Sequence, residues 1–486
     1  MKRPGSLVLP YAARFALHFE GDEAVCSPLK GHPMLLAAKY VLPISAPHIE
    51  DGAVVVDGDR IVAVGPRAQL EKDYPAEPVR DFGLAVLMPG CVDLHTHLEY
   101  SIFRGAVDDM PYTAWKMQVH EKGQRLAPDD WRDSAVLGAM EALGSGITTV
   151  ADITNSGFSL LAAKEAGLAG VFYREVSTMD KTKVPGRMQQ AADDIEDWQA
   201  SVAGMPIEIG IAPHSPYSCH PSLFEASAEL AIARDLPAAI HLAGSQDEYD
   251  FVRYGSSALA QDFRVQSGWR DVAWMPTGVS PVRYVLQWGL LQVPRLLAVH
   301  CVHVDESDIT ILADNKVSIA HCPRCNAKLG MGNAPLAQFF EHGITVGLGT
   351  DSPASANTVD PFDEMRIGLL LQRSVSTEHD FYRYFTARTM LRLATIWGAR
   401  ALGLDHEIGS LEPGKRADVI AVDLSSSPHM VPTADPYSAI VHTSNQKDVS
   451  MTMVAGRILF DAGEYPTIDK ERALARARES RVKLRS

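Results

Sequence analysis

The first pattern with chemical potential is His95-Thr96-His97, which closes an apolar stretch that contains Pro89-Gly90. On a β-strand, residues two apart point to the same side, so both imidazoles could reach one ion. A lone pair of this kind is a weak signal, because two core or surface histidines would give the same pattern. Its meaning depends on the rest of the chain.

Eight short apolar stretches recur, with polar loops and helical patterns between them; they cover 87–97, 146–152, 170–175, 207–214, 237–241, 296–300, 317–321 and 343–351. Strand–helix alternation repeated eight times predicts an α/β fold, a (β/α)8 barrel of the TIM type. Each stretch ends in residues able to bind a metal or a proton: His95, His97, Asp152, Glu175, His214, His241, His300, His321 and Asp351. Because the carboxyl ends of barrel strands meet on one face, these side chains are expected to share one active site.

Among these residues, three imidazoles and one carboxylate form a suitable ligand set for a divalent transition metal. Such an ion lowers the pKa of a bound water toward neutrality and so supplies a nucleophile. Asp351 could bind both metal and water and move the proton of that water. His300 could hydrogen-bond the water or polarise the substrate, although a buried core histidine is the alternative for it.

Two β-rich regions flank the predicted barrel, and we expect them to build one small composite β-sandwich. Residues 34–86 and 400–470 are assigned to this domain, and residues 87–399 to the barrel. Residues 1–33 form an N-terminal extension, and residues 471–486 a charged tail that is either helical or frayed.

Composition narrows the functional classes. The chain has 486 residues, 46% of them hydrophobic, which is typical of a globular protein rather than a disordered one. A net charge of −15 disfavours binding to nucleic acid or to an anionic membrane. Six cysteines are too few for a disulfide framework, so we expect a cytoplasmic protein without a membrane span. We also expect a homo-oligomer that acts on a small molecule.

Several motifs together resemble the amidohydrolase superfamily, in its branch of aminohydrolases for nucleobases, nucleosides and triazines. The matching stretches are 88–97, 212–218, 241–243, 297–303, 348–352 and 408–423. The resemblance implies a barrel with a composite β-sandwich and one divalent ion, with zinc favoured over iron. It also implies that His95, His97, His241 and Asp351 are the metal ligands and that His300 assists catalysis.

A narrower resemblance, to the aminodeoxyfutalosine deaminases of the menaquinone route, is carried by residues 97–105, 277–284 and 322–330. A neighbouring subgroup deaminates S-adenosylhomocysteine, methylthioadenosine and adenosine. Both remove the 6-amino group of an adenine ring as ammonia. The resemblance makes four residues candidates for substrate contact: Glu99, Arg104, His214 and Arg283. For the two arginines, pairing with surface carboxylates is the alternative.

The chain departs from this family at one position that matters for catalysis. The family has His-x-x-Glu after the fifth strand, and that glutamate protonates the ring, but here Gly244 stands in its place. Loss of a general acid typically costs about 10²–10⁴-fold in rate. Glu248, or Asp247, could substitute from the following loop. The alternatives are another hydrolysis on the same scaffold, such as dechlorination or cyclic-amide hydrolysis, or a metal-binding protein with weakened catalysis.

Overall fold

The chain folds into a parallel barrel and a separate mixed sheet, with helices around the barrel. The computed structural model describes residues 33–433 and 435–485. The strands are β1 (Met34–Val41), β2 (Ile49–Asp57), β3 (Arg60–Pro66), β4 (Val79–Asp81), β5 (Ala85–Pro89), β6 (Cys91–Thr96), β7 (Ile147–Thr154), β8 (Ala169–Val176), β9 (Ile207–Pro213), β10 (Ala238–Leu242), β11 (Leu296–His300), β12 (Ser318–His321), β13 (Val346–Leu348), β14 (Val419–Asp423), β15 (Val449–Val454) and β16 (Arg457–Asp461).

The α-helices lie mainly between the barrel strands. They are α1 (Arg67–Asp73), α2 (Tyr112–Gly123), α3 (Pro128–Gly144), α4 (Phe158–Ala166), α5 (Val184–Ser201), α6 (Pro221–Arg234), α7 (Gln246–Tyr254), α8 (Arg264–Gln266), α9 (Pro281–Leu286), α10 (Glu306–Asp314), α11 (Pro323–Lys328), α12 (Leu336–Glu341), α13 (Pro353–Ala356), α14 (Pro361–Val375), α15 (Glu378–Tyr384), α16 (Ala387–Leu393), α17 (Ile396–Ala401), α18 (Pro436–Ser438) and α19 (Lys470–Val482).

The barrel consists of β6 to β13, which pair in chain order and in parallel. Its two ends approach each other where the backbone N–H of Asp351 donates to the carbonyl of His95 at 2.7 Å. Alternate side chains such as Leu94, Tyr173 and Val299 fill the interior. The predicted (β/α)8 barrel is confirmed, and each of the eight predicted stretches contains one barrel strand.

Gly90 lies between β5 of the mixed sheet and β6 of the barrel, so the chain passes from one to the other at this residue. The first predicted stretch, 87–97, therefore includes the end of β5 as well as β6. A Cβ atom at residue 90 would lie 2.1 Å from the side chain of Thr148, so only glycine fits this crossing. This position also joins the two bodies, since the N–H of Gly90 donates to the carbonyl of Asp418 at 3.1 Å.

The second body is an eight-stranded mixed sheet built from both ends of the described chain. Its order is β16-β15-β14-β5-β1-β2-β3, with β4 paired to β1. Strand β5 links the N-terminal and C-terminal halves, because it is parallel to β1 and antiparallel to β14. The sequence Asp57-Gly58-Asp59 is a hairpin signal, and a hairpin joins β2 to β3 there, with a positive φ of 58° at Gly58.

The predicted tail contains a helix, α19, which packs against α3. The predicted N-terminal extension, 1–33, lies outside the described residues except for its last position, and the proposed domain boundaries stay a prediction. Within the described part of the chain, no helix combines the length and apolar character needed to cross a membrane.

A buried ion pair ties the mixed sheet to the barrel and gives a stability prediction. Arg416 pairs with the buried Asp418 at 2.5 Å and reaches Thr149 of β7 at 3.2 Å. We expect Arg416→Met to lower the free energy of unfolding by about 3–5 kcal/mol, because the substitution leaves a buried carboxylate without its partner. Urea unfolding followed by circular dichroism measures this change.

The matched control is Arg132→Met, which removes an exposed ion pair with Glu165. Exposed pairs contribute about 0–1 kcal/mol, so its unfolding midpoint should stay close to that of the wild type. An equal loss of unfolding free energy in the two variants would contradict the role of Arg416 in joining the mixed sheet to the barrel.

Candidate active site and metal centre

The carboxyl ends of the barrel strands bring four histidines and one aspartate together. His95 lies near the end of β6, and His97 directly follows that strand. His241 and His300 lie at the ends of β10 and β11, and Asp351 follows β13. All five belong to the predicted site, and the parallel strands deliver them to the same edge of the barrel.

The ring distances show how tightly these side chains are grouped. The ring centre of His95 lies 4.7 Å from that of His97 and 5.0 Å from that of His241. These three histidines offer ligand atoms that all lie within 4.8 Å of one another, and His95, His300 and Asp351 form a second such group. The two groups share His95, so one ion beside that ring could be reached from both.

Hydrogen bonds on the outer side of two rings orient their inner nitrogens. Nδ1 of His97 donates to the carbonyl of Ile153 at 2.7 Å, and Nδ1 of His241 donates to the carbonyl of His214 at 3.0 Å. Because a carbonyl can only accept, Nε2 of each neutral ring keeps its lone pair free for a metal. Neither ring nitrogen of the buried His95 makes a hydrogen bond with a described residue, although its Nε2 lies 3.6 Å from Oδ1 of Asp351. An orphaned buried imidazole beside two oriented ones fits a metal centre.

The electrostatics of the cluster favour the protonation states that bind a cation. Burial, assisted by the neighbouring His95, lowers the pKa of His97 to about 3, and burial lowers the pKa of His300 to about 4. Burial also holds the pKa of His241 well below its usual value. For Asp351, burial acts to raise the pKa, but the neighbouring His95 outweighs it and holds the pKa well below its usual value. The site therefore presents neutral imidazoles at His97, His241 and His300 and a carboxylate at Asp351.

Two members of the cluster have a strained backbone. His300 has a φ of 77° and Asp351 a φ of 55°, which are uncommon for residues with a Cβ atom and concentrate at functional sites. Nδ1 of His300 donates to Oδ1 of Asn326 at 2.9 Å, which leaves its Nε2 free as an acceptor. Oδ1 of Asp351 accepts the N–H of Ser352 at 2.6 Å.

His214 borders the cluster and contacts a residue that the sequence pattern did not indicate. Its ring centre lies 5.0 Å from that of His241. Its Nε2 lies 3.2 Å from Nζ of Lys116, which also lies over the rings of Tyr217 and Phe263. Lys116 lies on α2, outside the barrel strands. The sequence prediction considered residues at the ends of those strands and therefore did not include this lysine.

The other predicted substrate contacts are engaged with neighbouring groups. The buried carboxylate of Glu99 accepts from Oγ1 of Thr154 at 2.9 Å and from Oγ of Ser156. Arg104 pairs with Glu141. These bonds hold the loops beside β6 and β7 in place, and a role of Glu99 or Arg104 in substrate binding stays a prediction.

Arg283 lies further along the chain, in the first turn of α9. Its guanidinium pairs with Asp305 at 2.9 Å and approaches Asp308 at 3.4 Å. For both predicted arginines, the alternative of pairing with carboxylates is therefore what the structure shows, and substrate contact by Arg283 also stays a prediction.

Comparison with known proteins agrees with this geometry. The sequence matches the Amidohydrolase family over residues 86–459. The chain belongs to the amidohydrolase family. A short segment, 52–76, also matches the imidazolonepropionase-like composite domain of bacteria.

Curated relatives of this amidohydrolase are named as deaminases. The 5-methylthioadenosine/S-adenosylhomocysteine deaminase of Symbiobacterium thermophilum is 34% identical over 457 residues, which is 93% of this chain and 99% of the relative. The protein of the same name from Moorella thermoacetica is 33% identical and covers 90% of this chain and 96% of its own. The expectation of a hydrolase acting on C–N bonds outside peptides is confirmed.

Solved structures give the same fold. An adenosine deaminase from Xanthomonas campestris with bound zinc superposes with a TM-score of 0.80 at 29% identity, over 93% of this chain and 98% of its own. An atrazine chlorohydrolase from Arthrobacter aurescens reaches 0.77 at 23% identity over 92% of this chain and 100% of its own, which supports the fold alone.

Gly244, where the amidohydrolase departs from the expected motif, faces the catalytic cluster. A Cβ atom at this position would lie 3.2 Å from Cδ2 of His300 and 3.0 Å from Cε of Met331. A longer side chain would thus start toward the site, and the buried Met331 now occupies the space beside it. Residue 244 therefore contributes no side chain to the cluster, and the group nearest to its Cβ position is apolar.

Glu248, the predicted substitute acid, is buried close to this gap. Burial raises the pKa of its carboxyl to about 7. Its two oxygens accept the backbone N–H groups of Ala243 at 2.8 Å and Gly244 at 3.0 Å. The side chain therefore holds the loop that follows β10, and both of its oxygens are already used.

The metal centre gives a direct prediction. We expect the wild-type amidohydrolase to hold one divalent ion per chain, and His241→Ala to hold well below one, because a ligand is lost from the centre. Metal content by plasma mass spectrometry, together with the melting temperature before and after a chelator, measures this. A ligand that binds only the folded state raises the melting temperature, so the chelator should lower it in the wild type.

The matched control is His342→Ala, which removes an exposed histidine at the end of α12. It should keep the wild-type metal content and the wild-type response to the chelator. Full metal content in His241→Ala would show that this histidine is not a ligand.

Proposed function

We propose that this amidohydrolase is a metal-dependent deaminase that removes the 6-amino group of an adenine nucleoside derivative as ammonia. The observation that carries the proposal is the grouping of three oriented or orphaned imidazoles with His300 and Asp351 in one buried cluster. The names of relatives 34% and 33% identical over nearly the whole chain support the adenine-type substrate.

The metal ligands in this proposal are His95, His97, His241 and Asp351. A divalent ion held by them would lower the pKa of a water and supply the hydroxide equivalent that deamination needs. Imidazole nitrogens suit zinc and iron alike. The zinc bound to the adenosine deaminase of similar fold supports zinc as the first ion to test.

Asp351 and His300 handle the proton of the attacking water. Asp351 is ionised and can accept that proton, then pass it to the departing amino group as ammonia forms. Nε2 of His300 is an unprotonated acceptor because Nδ1 donates to Asn326. It can accept a hydrogen bond from the water and so aim the oxygen at C6 of the ring.

The relatives and the sequence motifs support different nucleosides as the substrate. The relatives support methylthioadenosine and S-adenosylhomocysteine, and the motifs in residues 97–105, 277–284 and 322–330 support aminodeoxyfutalosine. His214, at the rim of the cluster, is the predicted contact best placed to meet the substrate, because its ring lies beside that of His241.

The proposed reaction is tested by an ammonia assay on the zinc-loaded enzyme. The substrates are methylthioadenosine, S-adenosylhomocysteine, adenosine and aminodeoxyfutalosine, and we expect release of one ammonia per molecule from at least one of them. The Asp351→Asn variant should lose activity by a factor of about 10² or more, because it lacks the base that moves the water proton.

Failure of every substrate to release ammonia from the metal-loaded wild type would overturn the proposal. The same preparations would then be assayed with chlorinated triazines and cyclic amides, the alternative substrates for this scaffold. Arg132→Met, far from the cluster, serves as the handling control and should match the wild type.

A second prediction concerns the residue behind His300. We expect Asn326→Ala to lower kcat by about 10–100-fold, the usual cost of losing a partner that orients a catalytic imidazole. Metal content should not change, because Asn326 touches His300 rather than the proposed ligands. A variant with full kcat would show that the hydrogen bond does not orient His300, and the comparison uses steady-state kinetics beside metal analysis.

A further inference from the structure

Glu175 places a carboxyl group at the mouth of the barrel. It lies on β8 two and four residues after Tyr173 and Val171, which point into the barrel interior. Because side chains alternate along a strand, Glu175 points to the same side, one layer closer to the carboxyl end. The neighbouring strand β9 pairs Ala212 with Glu175 and carries His214 just beyond its end.

The side chain of Glu175 has no hydrogen bond or ion pair with another described residue. Four charged or titratable groups act on it electrostatically: Lys116 from α2, Glu99 after β6, Arg174 on its own strand and His95 from β6. Burial raises the pKa of Glu175 to about 7, while Lys116 acts against this rise. A carboxyl group with a free end at the mouth of the barrel is suited to proton transfer.

Glu248 offers a direct comparison, because burial raises its pKa to the same value, about 7. Its oxygens are occupied by the backbone N–H groups of Ala243 and Gly244. A proton placed on Glu248 would break one of these bonds and release the loop after β10. Protonation of Glu175 breaks no such bond. The two carboxyl groups have the same pKa of about 7 but differ in their hydrogen bonding.

We propose that Glu175 is a catalytic residue that protonates the ring of the substrate, a role for which Gly244 offers no side chain. The inference rests on the proposed deamination. In the first step the water oxygen bonds to C6, its proton goes to Asp351, and the carboxyl proton of Glu175 goes to the adjacent ring nitrogen. The C=N bond of the ring becomes a single bond.

In the second step the C6–N bond to the amino group breaks, and ammonia leaves with the proton held by Asp351. The hydroxyl at C6 becomes a carbonyl, and its proton returns to Glu175. The ring keeps the proton on its nitrogen, so one water is consumed and one ammonia is released, with Glu175 and Asp351 in their starting states. Lys116, which acts on Glu175 electrostatically, stabilises the carboxylate formed between the two steps.

The test compares Glu175→Gln with the wild type in the zinc-loaded enzyme. We expect kcat/KM to fall by about 10²–10⁴-fold, the usual effect of removing a general acid. Since Glu175 must be protonated to act, wild-type kcat/KM should decline as the pH rises through its pKa, and this limb should be absent in Glu175→Gln. Glu175→Asp should keep the limb at a reduced rate, and it serves if Glu175→Gln does not fold.

Two further variants sharpen the comparison. Glu208→Gln, at the opposite end of the barrel where Glu208 pairs with Arg295, is the matched control and should keep the wild-type profile. Glu248→Gln should keep the high-pH limb, and loss of the limb in this variant alone would assign the acid to Glu248 instead. Metal content and circular dichroism of each variant confirm that only the carboxyl has changed.

The outcomes distinguish this inference from the proposed function. A wild type that releases ammonia, with Glu175→Gln equally active and equally dependent on pH, overturns the role of Glu175 and leaves deamination intact. A metal-loaded wild type that releases no ammonia overturns both. A rise of kcat by orders of magnitude in Gly244→Glu with Met331→Ala, which makes room for the longer side chain, would show that the acid is missing and also overturn the role of Glu175.

Discussion

The exclusion of water from His95 is the constraint on which the rest of the site depends. The ring is fully buried, and neither nitrogen makes a hydrogen bond with a described residue. Burying an imidazole without a hydrogen-bond partner costs free energy unless a ligand binds it, and the surrounding residues are arranged to hold such a ligand. His97 and His241 are turned toward it by outer hydrogen bonds, and Asp351 is attached to its carbonyl through the backbone. The hydrogen bond from the N–H of Asp351 to the carbonyl of His95, which brings the two ends of the barrel together, thus also places Asp351 beside the ring of His95.

Much of this arrangement could be predicted from the sequence, because it depends on repetition. The strands recur as apolar stretches with ligand residues at their ends, and parallel barrel strands must bring those ends together. The positions of His95, His241, His300 and Asp351 followed from that rule. The hairpin at Gly58 was also predictable, since it depends on the local preference of glycine for positive φ.

Other parts of the site could not be predicted, because they depend on how distant segments meet. Lys116 reaches His214 from α2, and no period or motif marks that lysine. Glu175 and Glu248 are the same residue type, and what distinguishes them is that the oxygens of Glu248 accept two backbone N–H groups. Arg104 was predicted to contact the substrate, yet it is bound to Glu141, a partner 37 residues further along the chain.

The packing around Gly244 also couples two positions of the chain. Cε of Met331 would lie 3.0 Å from a Cβ atom at residue 244, so a larger residue there requires the flexible end of the methionine to move. A substitution at residue 244 therefore cannot be judged alone, because its cost depends on the room that residue 331 leaves. For protein engineering, the two positions form one design unit.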